Sequence, residues 1–306
     1  MIRLVTILGP TATGKSRLAL RLAQQFNGEI VSADSRQVYR RMDISTAKPR
    51  RQDMVLVPHH LIDIINSDED FSLAQYQKLA FKSIEDIRKR NKLPFLVGGS
   101  GLYIWAVLEG WQIPQIAPDP EFRRRLENRA ARGEAEELYQ ELQEIDPVAA
   151  QRIDRKNTRR IIRALEVTTH ADTPISRLQG KKPPPFNTLI IGLTTDRKEL
   201  YNRIDLRVDG MVKQGLLEEV NKLVDLGYDF SLPAMSGIGY RQTGMFLRSE
   251  MDMESAIQQI KTETHRFVRR QYNWFKLSDD RIQWFDIKND STDQEITALV
   301  SEFLEG

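Results

Sequence analysis

Apolar residues open the chain in short unbroken runs, RLVTIL at 3–8 and EIVSA at 29–33, of the length that predicts buried strands. Between them, SRLALRLAQQF at 16–26 repeats its apolar positions at helical spacing. The result is a strand, loop, helix, strand sequence, a βαβ unit. HHLIDII at 59–65 predicts a further strand, and FSLAQYQKLAFKSIEDIRKR at 71–90 a helix opened by Ser72. PFLVGG at 94–99 predicts a buried strand entering a second glycine turn. This alternation predicts an α/β fold, a parallel sheet covered by helices, and the loop GPTATGKS at 9–16 between the first strand and helix makes it P-loop NTPase-like.

The pattern changes near Ile113. QIPQIAPDPEF at 112–122 is proline-rich, and the next seventy or so residues are polar, arginine-rich and helical in period until KKPPPF at 181–186. TLIIGLTT at 188–195 then returns to the apolar strand pattern. The predicted organisation is a first core part at 1–112, an all-helical insertion at 113–185, and a second core part at 186–306. That last part carries helices near 197–227 and 252–278, a strand at RIQWFDI (281–287) and a helical C-terminus.

Composition narrows the class. The 306 residues are 40% hydrophobic and contain no apolar run long enough for a membrane span, so no membrane partner is expected. The absence of cysteine excludes thiol chemistry and fits a cytoplasmic protein, expected to act as a monomer. Net charge is only +2, but basic residues crowd at Arg123–Arg132, Arg152–Arg163 and Lys261–Lys276, a distribution that favours a nucleic-acid partner. On the last of these helices Lys261, His265, Arg269, Tyr272 and Lys276 share a stripe suited to tracking phosphate, while Phe267, Val268, Gln271, Trp274 and Phe275 point elsewhere. His59, His60, His170 and His265 lack metal-site spacing, and the His59–His60 pair reads as structural.

The chemistry begins at Gly9, Pro10, Thr11, Ala12, Thr13, Gly14, Lys15 and Ser16, which satisfy the pattern Gly, four residues, Gly-Lys-Ser. Following a strand and opening a helix, the loop can converge backbone N–H groups on phosphate oxygens. Lys15 is positioned to reach a phosphate, and Ser16 to hold Mg²⁺. The motif grips any polyphosphate, so a nucleoside or nucleotide kinase and a transferase with a diphosphate leaving group both remain open. Asp34 ends the second strand, beside the loop. Its carboxylate suits a base, a cap for the following turn, or a metal contact through water.

Seven motifs in order then resemble one family: DSRQVY at 34–39, DISTAKP at 43–49, VPHHLID at 57–63, LVGGSGLY at 96–103, NTRRIIRALEV at 157–167, SGIGYRQ at 236–242 and RRQYNWF at 269–275. They are similar to the tRNA dimethylallyltransferases, or tRNA isopentenyltransferases, over nearly the whole chain. Three positions depart from that family's wording. Ser45 stands for a usual Gly, Ser100 for a usual Thr, and Ala171-Asp172-Thr173 for a common Thr-Gly-Lys.

The resemblance implies transfer of a dimethylallyl group from dimethylallyl diphosphate to the exocyclic amine of the adenine 3′ of a tRNA anticodon. A related alternative acts on free adenine nucleotides. Asp34 is the candidate base, Ser100 a candidate bridge to phosphate or amine, and Arg203 the candidate cation for the leaving diphosphate. For tRNA the candidates are Asp34, Ser35, Arg36, Gln37 and Ser100, then Arg123, Arg159, Arg160, Ile161, Ile162 and Arg163, then Ser236, Gly237, Ile238, Gly239, Tyr240 and Arg241.

Overall fold

A computed structural model describes residues 1–306, which divide into two compact units: Met1–Leu108 with Pro185–Gly306, and Glu109–Pro184. The first unit is built on six parallel strands. In chain order they are β1 (Ile2–Leu8), β2 (Gly28–Ala33), β3 (His59–His60), β4 (Leu93–Gly98), β7 (Phe186–Thr194) and β8 (Gln283–Asp286). They lie side by side as β3-β2-β4-β1-β7-β8. β2 and β4 are buried at every position, as expected of strands covered on both faces.

Register positions the chemistry. Ala33 pairs with Gly98, so the chain leaves β2 at Asp34 beside the turn that carries Gly99 and Ser100. Leu8 pairs with Gly98 on one side and Gly192 on the other, which brings the phosphate loop out at the same edge.

Helices α1 (Lys15–Gln25), α2 (Arg51–Leu56), α3 (Leu73–Lys89) and α4 (Gly101–Leu108) precede the second unit. Ser72 opens α3 with a reciprocal capping box to Gln75. HHLIDII forms strand only at its two histidines, because Leu61 and Asp63 take left-handed φ values of 65° and 55° that end the ladder. His60 donates from Nε2 to the buried Glu29 carboxylate at 2.7 Å, which Arg90 and Lys92 also meet. The histidine pair is thus structural.

The second unit contains α5 (Pro120–Ala131), α6 (Ala135–Ile145), α7 (Pro147–Arg152), α8 (Thr158–Ala171) and α9 (Ile175–Leu178) around a core of Leu126, Leu138, Leu142, Ile161, Leu165 and Val167. It is not wholly helical: β5 (Trp111–Gln112) pairs antiparallel with β6 (Gly180–Lys181) and closes its base. The unit therefore starts at Glu109, ahead of the proline-rich stretch. Asp172, one of the departures from family wording, holds a left-handed φ of 48° at the C-terminus of α8, a conformation aspartate tolerates better than most residues.

The first unit resumes with α10 (Arg197–Lys213), α11 (Leu216–Asp225), α12 (Tyr240–Leu247), α13 (Met253–Trp274) and α14 (Thr292–Glu305). One core, with Val5, Ile7, Leu22, Phe95, Ile191 and Ile296, lies between the sheet, α1 and α14. A second, with Val38, Met42, Leu200, Ile204, Val208, Tyr240, Ile260 and Val268, joins α10, α12 and α13 beyond the strand ends. No helix is long and apolar enough to cross a membrane.

Candidate active site

The loop between β1 and α1 leaves the sheet at Gly9, with φ 137° and no space for a side chain: a Cβ there would lie 2.3 Å from the Leu193 carbonyl oxygen. Gly14, φ 82°, opens α1 in the left-handed region. Within the loop, the Thr13 hydroxyl and the Lys15 ammonium both donate to the Pro10 carbonyl, at 2.9 and 2.6 Å. Burial pushes the Lys15 pKa down to about 7, helped by Arg207 and opposed by Asp34.

Two other elements grip the loop. Arg207, on α10, donates from Nη1 to the Thr11 hydroxyl at 2.9 Å. Gln271, on α13, accepts from the Thr11 backbone N–H at 2.9 Å and donates from Nε2 to the Gly99 carbonyl at 2.8 Å. Asp34 accepts the Arg36 N–H at 2.8 Å through one oxygen, so it caps the following turn while facing the two cations. Ser100 Oγ accepts the Ser35 N–H at 3.0 Å.

These groups line two adjoining cavities. One, of about 420 Å³, holds the loop, Lys15, Ser16, Asp34, Gly99, Arg207 and Gln271. The other, of about 380 Å³, is walled by Ile204, Val208, Met211, Ile238, Ile260 and Phe267, with Ser35, Arg36, Ser100, Arg241 and Arg270 at its polar edges. Thr11, Asp34, Thr46, Arg207 and Phe267 line both. A cationic chamber thus meets, at a carboxylate, a second one that is apolar along α10 and α13 and polar elsewhere.

Several expected roles change. Arg203 lines neither cavity and its guanidinium pairs with Glu199 at 2.6 Å; Arg207, one turn further, occupies the position foreseen for it. Gln37 is buried with both ends of its amide engaged, accepting from the Ser32 hydroxyl and donating to the Thr46 and Ala47 carbonyls, so its amide braces the 43–49 loop from the wall of the first cavity. Tyr240 is buried and donates to Glu219, which also receives the Asp43 and Ile44 N–H groups. Arg36 binds the Pro233 and Ala234 carbonyls and Ser236, tying the 236–241 segment to the end of β2. Gly239 holds φ 93°, and Ser45, which is outside the left-handed region, donates to the Ile238 carbonyl at 2.6 Å.

Three residues of the stripe expected to track phosphate face α10, and Lys276 is exposed beyond the end of α13. Lys261 pairs with Asp209 and His265 with Asp205, Arg269 donates to the Tyr201 hydroxyl, and Tyr272 meets Thr194. Phe267, Arg270 and Gln271 are the α13 residues that reach the cavities. In the second unit, Ile161 and Ile162 are core residues, and Arg123 and Arg163 are held by the fully buried Glu166. Arg159 and Arg160 remain exposed on α8 with no carboxylate partner.

A P-loop sheet whose cationic chamber opens onto a second, partly apolar one suits an enzyme that grips a polyphosphate group beside a second reacting group. The chain belongs to the IPP transferase family, whose pattern matches residues 37–278. It is 54% identical over 276 residues to the tRNA dimethylallyltransferase of Roseiflexus sp. (strain RS-1), covering 90% of each chain. It is 48% identical over 301 residues to that of Dehalococcoides mccartyi (strain ATCC BAA-2266 / KCTC 15142 / 195), covering 98% of this chain and 92% of the other. Among solved structures, the tRNA isopentenylpyrophosphate transferase of Bacillus halodurans superposes with a TM-score of 0.74 at 41% identity, over 100% of this chain and 97% of that one. A eukaryotic dimethylallyltransferase acting on tRNA superposes with a TM-score of 0.86 at 26% identity, over 100% of this chain and 80% of that one. The family match begins after the phosphate loop, so the reading of that loop rests on its own sequence and geometry.

Proposed function

We propose that the protein transfers a dimethylallyl group from dimethylallyl diphosphate to the exocyclic amine of the adenine 3′ of a tRNA anticodon, in the cytoplasm and as a monomer. The observation that carries this reading is the junction of the two cavities at Asp34 and Arg207. A kinase would also use the cationic chamber with an acceptor pocket beside it; what favours a five-carbon donor is the aliphatic wall of Ile204, Val208 and Ile260 there, together with relatives named tRNA dimethylallyltransferase.

The donor's diphosphate lies against the loop amides, Lys15 and Arg207, and its hydrocarbon reaches toward Ile204, Val208 and Phe267. Ser16, exposed at the start of α1, supplies a hard oxygen ligand, and no group of three His, Cys, Asp or Glu residues forms a closed metal site. That donor set fits Mg²⁺ held mainly by diphosphate and water. Mg²⁺ supplies charge neutralisation for the leaving group.

The adenine amine attacks the allylic carbon. The C–O bond breaks with its electron pair leaving on diphosphate, where Lys15 and Arg207 stabilise the growing charge. The amine proton passes to Asp34 as the C–N bond forms, leaving a neutral secondary amine. Ser100 borders the apolar chamber near Asp34, where its hydroxyl orients the amine. Reaching the amine requires the base to leave its stack, and the exposed Arg241 and Arg270 at the second cavity supply phosphate and base contacts for the loop around it; Arg159 and Arg160 of the second unit supply tRNA phosphate contacts of their own.

The test is incubation with labelled dimethylallyl diphosphate, Mg²⁺ and either bulk tRNA or adenine nucleotides. Label entering tRNA supports the reading. Label entering only free nucleotides, or ATP consumption without label transfer, overturns it.

A further inference from the structure

We infer that Gln271 is a positioning residue for the donor: its amide fixes the phosphate loop in the register that receives a diphosphate, and couples that loop to the helix that walls the second cavity. The inference rests on the proposed transfer reaction. Gln271 is 4% exposed and more than 250 residues downstream of the loop, yet its Oε1 takes the Thr11 N–H and its Nε2 reaches the Gly99 carbonyl. One planar group therefore satisfies a donor on the first glycine turn and an acceptor on the second. Only a side-chain amide offers both at that spacing; a carboxylate would face the Gly99 carbonyl with no proton, and an apolar side chain would leave both backbone groups unpaired.

Two consequences follow from the geometry. The Thr11 N–H points at Gln271, so the phosphate cradle is formed by the later loop amides from Thr13 to Ser16, together with Lys15 and Arg207. Glycine at 99 is also dictated by this amide: a Cβ there would lie 2.4 Å from Gln271 Nε2. The neighbouring α13 residues Phe267 and Arg270 line the second cavity, Phe267 lining the diphosphate cavity as well. A rigid helix that lines the second cavity on one turn and anchors the loop on the next relates the two cavities.

The experiment compares Gln271→Leu, Gln271→Glu, Gly99→Ala and the Gly99→Ala/Gln271→Leu double variant with the unaltered chain. Three quantities are measured: affinity for unreactive dimethylallyl thiodiphosphate, affinity for bulk tRNA, and kcat and KM for transfer. Thermal melts establish that each variant is folded at the assay temperature. Losing the anchor lowers analogue affinity about tenfold or more, with tRNA affinity within about twofold. Gly99→Ala shows the same selective loss, and the double variant is no worse than Gln271→Leu alone, because both changes act on one contact. A purely structural glutamine lowers the melting temperature without that donor-selective loss. Unchanged analogue affinity in folded Gln271→Leu or Gln271→Glu overturns the inference, as do additive defects in the double variant. Failure of the unaltered chain to transfer label would instead overturn the reaction itself.

Discussion

Arg207 donates from Nη1 to the hydroxyl of Thr11, 196 positions earlier, at 2.9 Å, and so fixes a guanidinium at the mouth of the phosphate loop. Replacing it with lysine retains a charge but not the fork that holds both Thr11 and a phosphate. Arg207→Lys is expected to lower kcat/KM for transfer on the order of a hundredfold. Arg203→Ala removes a partly exposed ion pair with Glu199 and leaves kcat/KM near the unaltered value. Steady-state kinetics on the two variants checks the assignment; a larger loss at Arg203 would reverse it.

Asp34→Asn separates chemistry from capping. The asparagine carbonyl still accepts the Arg36 N–H, while the proton acceptor is gone. Turnover should fall about a hundredfold or more with donor and tRNA affinities little changed. Near-normal single-turnover rates would remove Asp34 as the base.

Lys15 gives the donor site a proton linkage. With its pKa pushed down to about 7, the side chain is charged below that pH and progressively neutral above it. A bound diphosphate favours the charged form, so binding at pH 8 takes up a proton that binding at pH 6 does not. Titration calorimetry in two buffers of different ionisation enthalpy measures this uptake. Lys15→Met should abolish the excess; equal uptake in both proteins would assign the linkage elsewhere.

The arginines of the second unit fall into two groups that salt titration distinguishes. Reversing the charge at Arg159 and Arg160 should weaken tRNA binding and flatten its dependence on salt. Arg123→Ala leaves Glu166 buried with fewer partners, so it should destabilise the protein on the order of 2 kcal/mol in denaturant melts. An unchanged salt slope after charge reversal would clear Arg159 and Arg160 of phosphate contact.

Glu29 is an acid-sensitive point in the sheet. Hydrogen bonds from Arg90 outweigh its burial and hold its pKa at about 2, below the usual 4.5, with His60 and Lys92 contributing. Its stabilising contribution is full above about pH 4.5 and is lost as pH falls toward 2. Glu29→Gln should therefore be less stable than the unaltered chain at pH 7, with the gap closing across that acid window. A gap independent of pH would show that packing, not charge, is at stake.

What the sequence reveals is what local pattern determines. The glycine loop, β2 ending at Asp34 and the Ser72 cap follow from contiguous residues, and so does the strand that carries Gly98 and Gly99. The choice between Arg203 and Arg207 depends on which way one turn of α10 faces, although Glu199, four residues before Arg203, is a local signal that this arginine is already paired. On α13 the spacing groups Lys261, His265, Arg269 and Tyr272 correctly. Their destinations, Asp209, Asp205 and Tyr201 on α10 for the first three and Thr194 on β7 for Tyr272, are tertiary facts. Gln271 carries neither charge nor motif chemistry that predicts reach into a distant loop. Ile161 and Ile162 follow the helical apolar period that buries them, a signal that outweighs their place inside an arginine-rich run.

The strand order has a consequence for how the protein is made. β1 lies in the middle of the sheet, yet its neighbour β7 begins only at Phe186, after the whole of Glu109–Pro184 has left the ribosome. During synthesis the nascent β1, β2 and β4 have one unpaired edge, the kind that recruits stray strands. The intervening segment is helical apart from one short ribbon, so its contacts are local and it folds quickly while that edge waits. Pausing of translation within residues 109–184 is therefore the interval in which a half-built sheet is most exposed to misassembly.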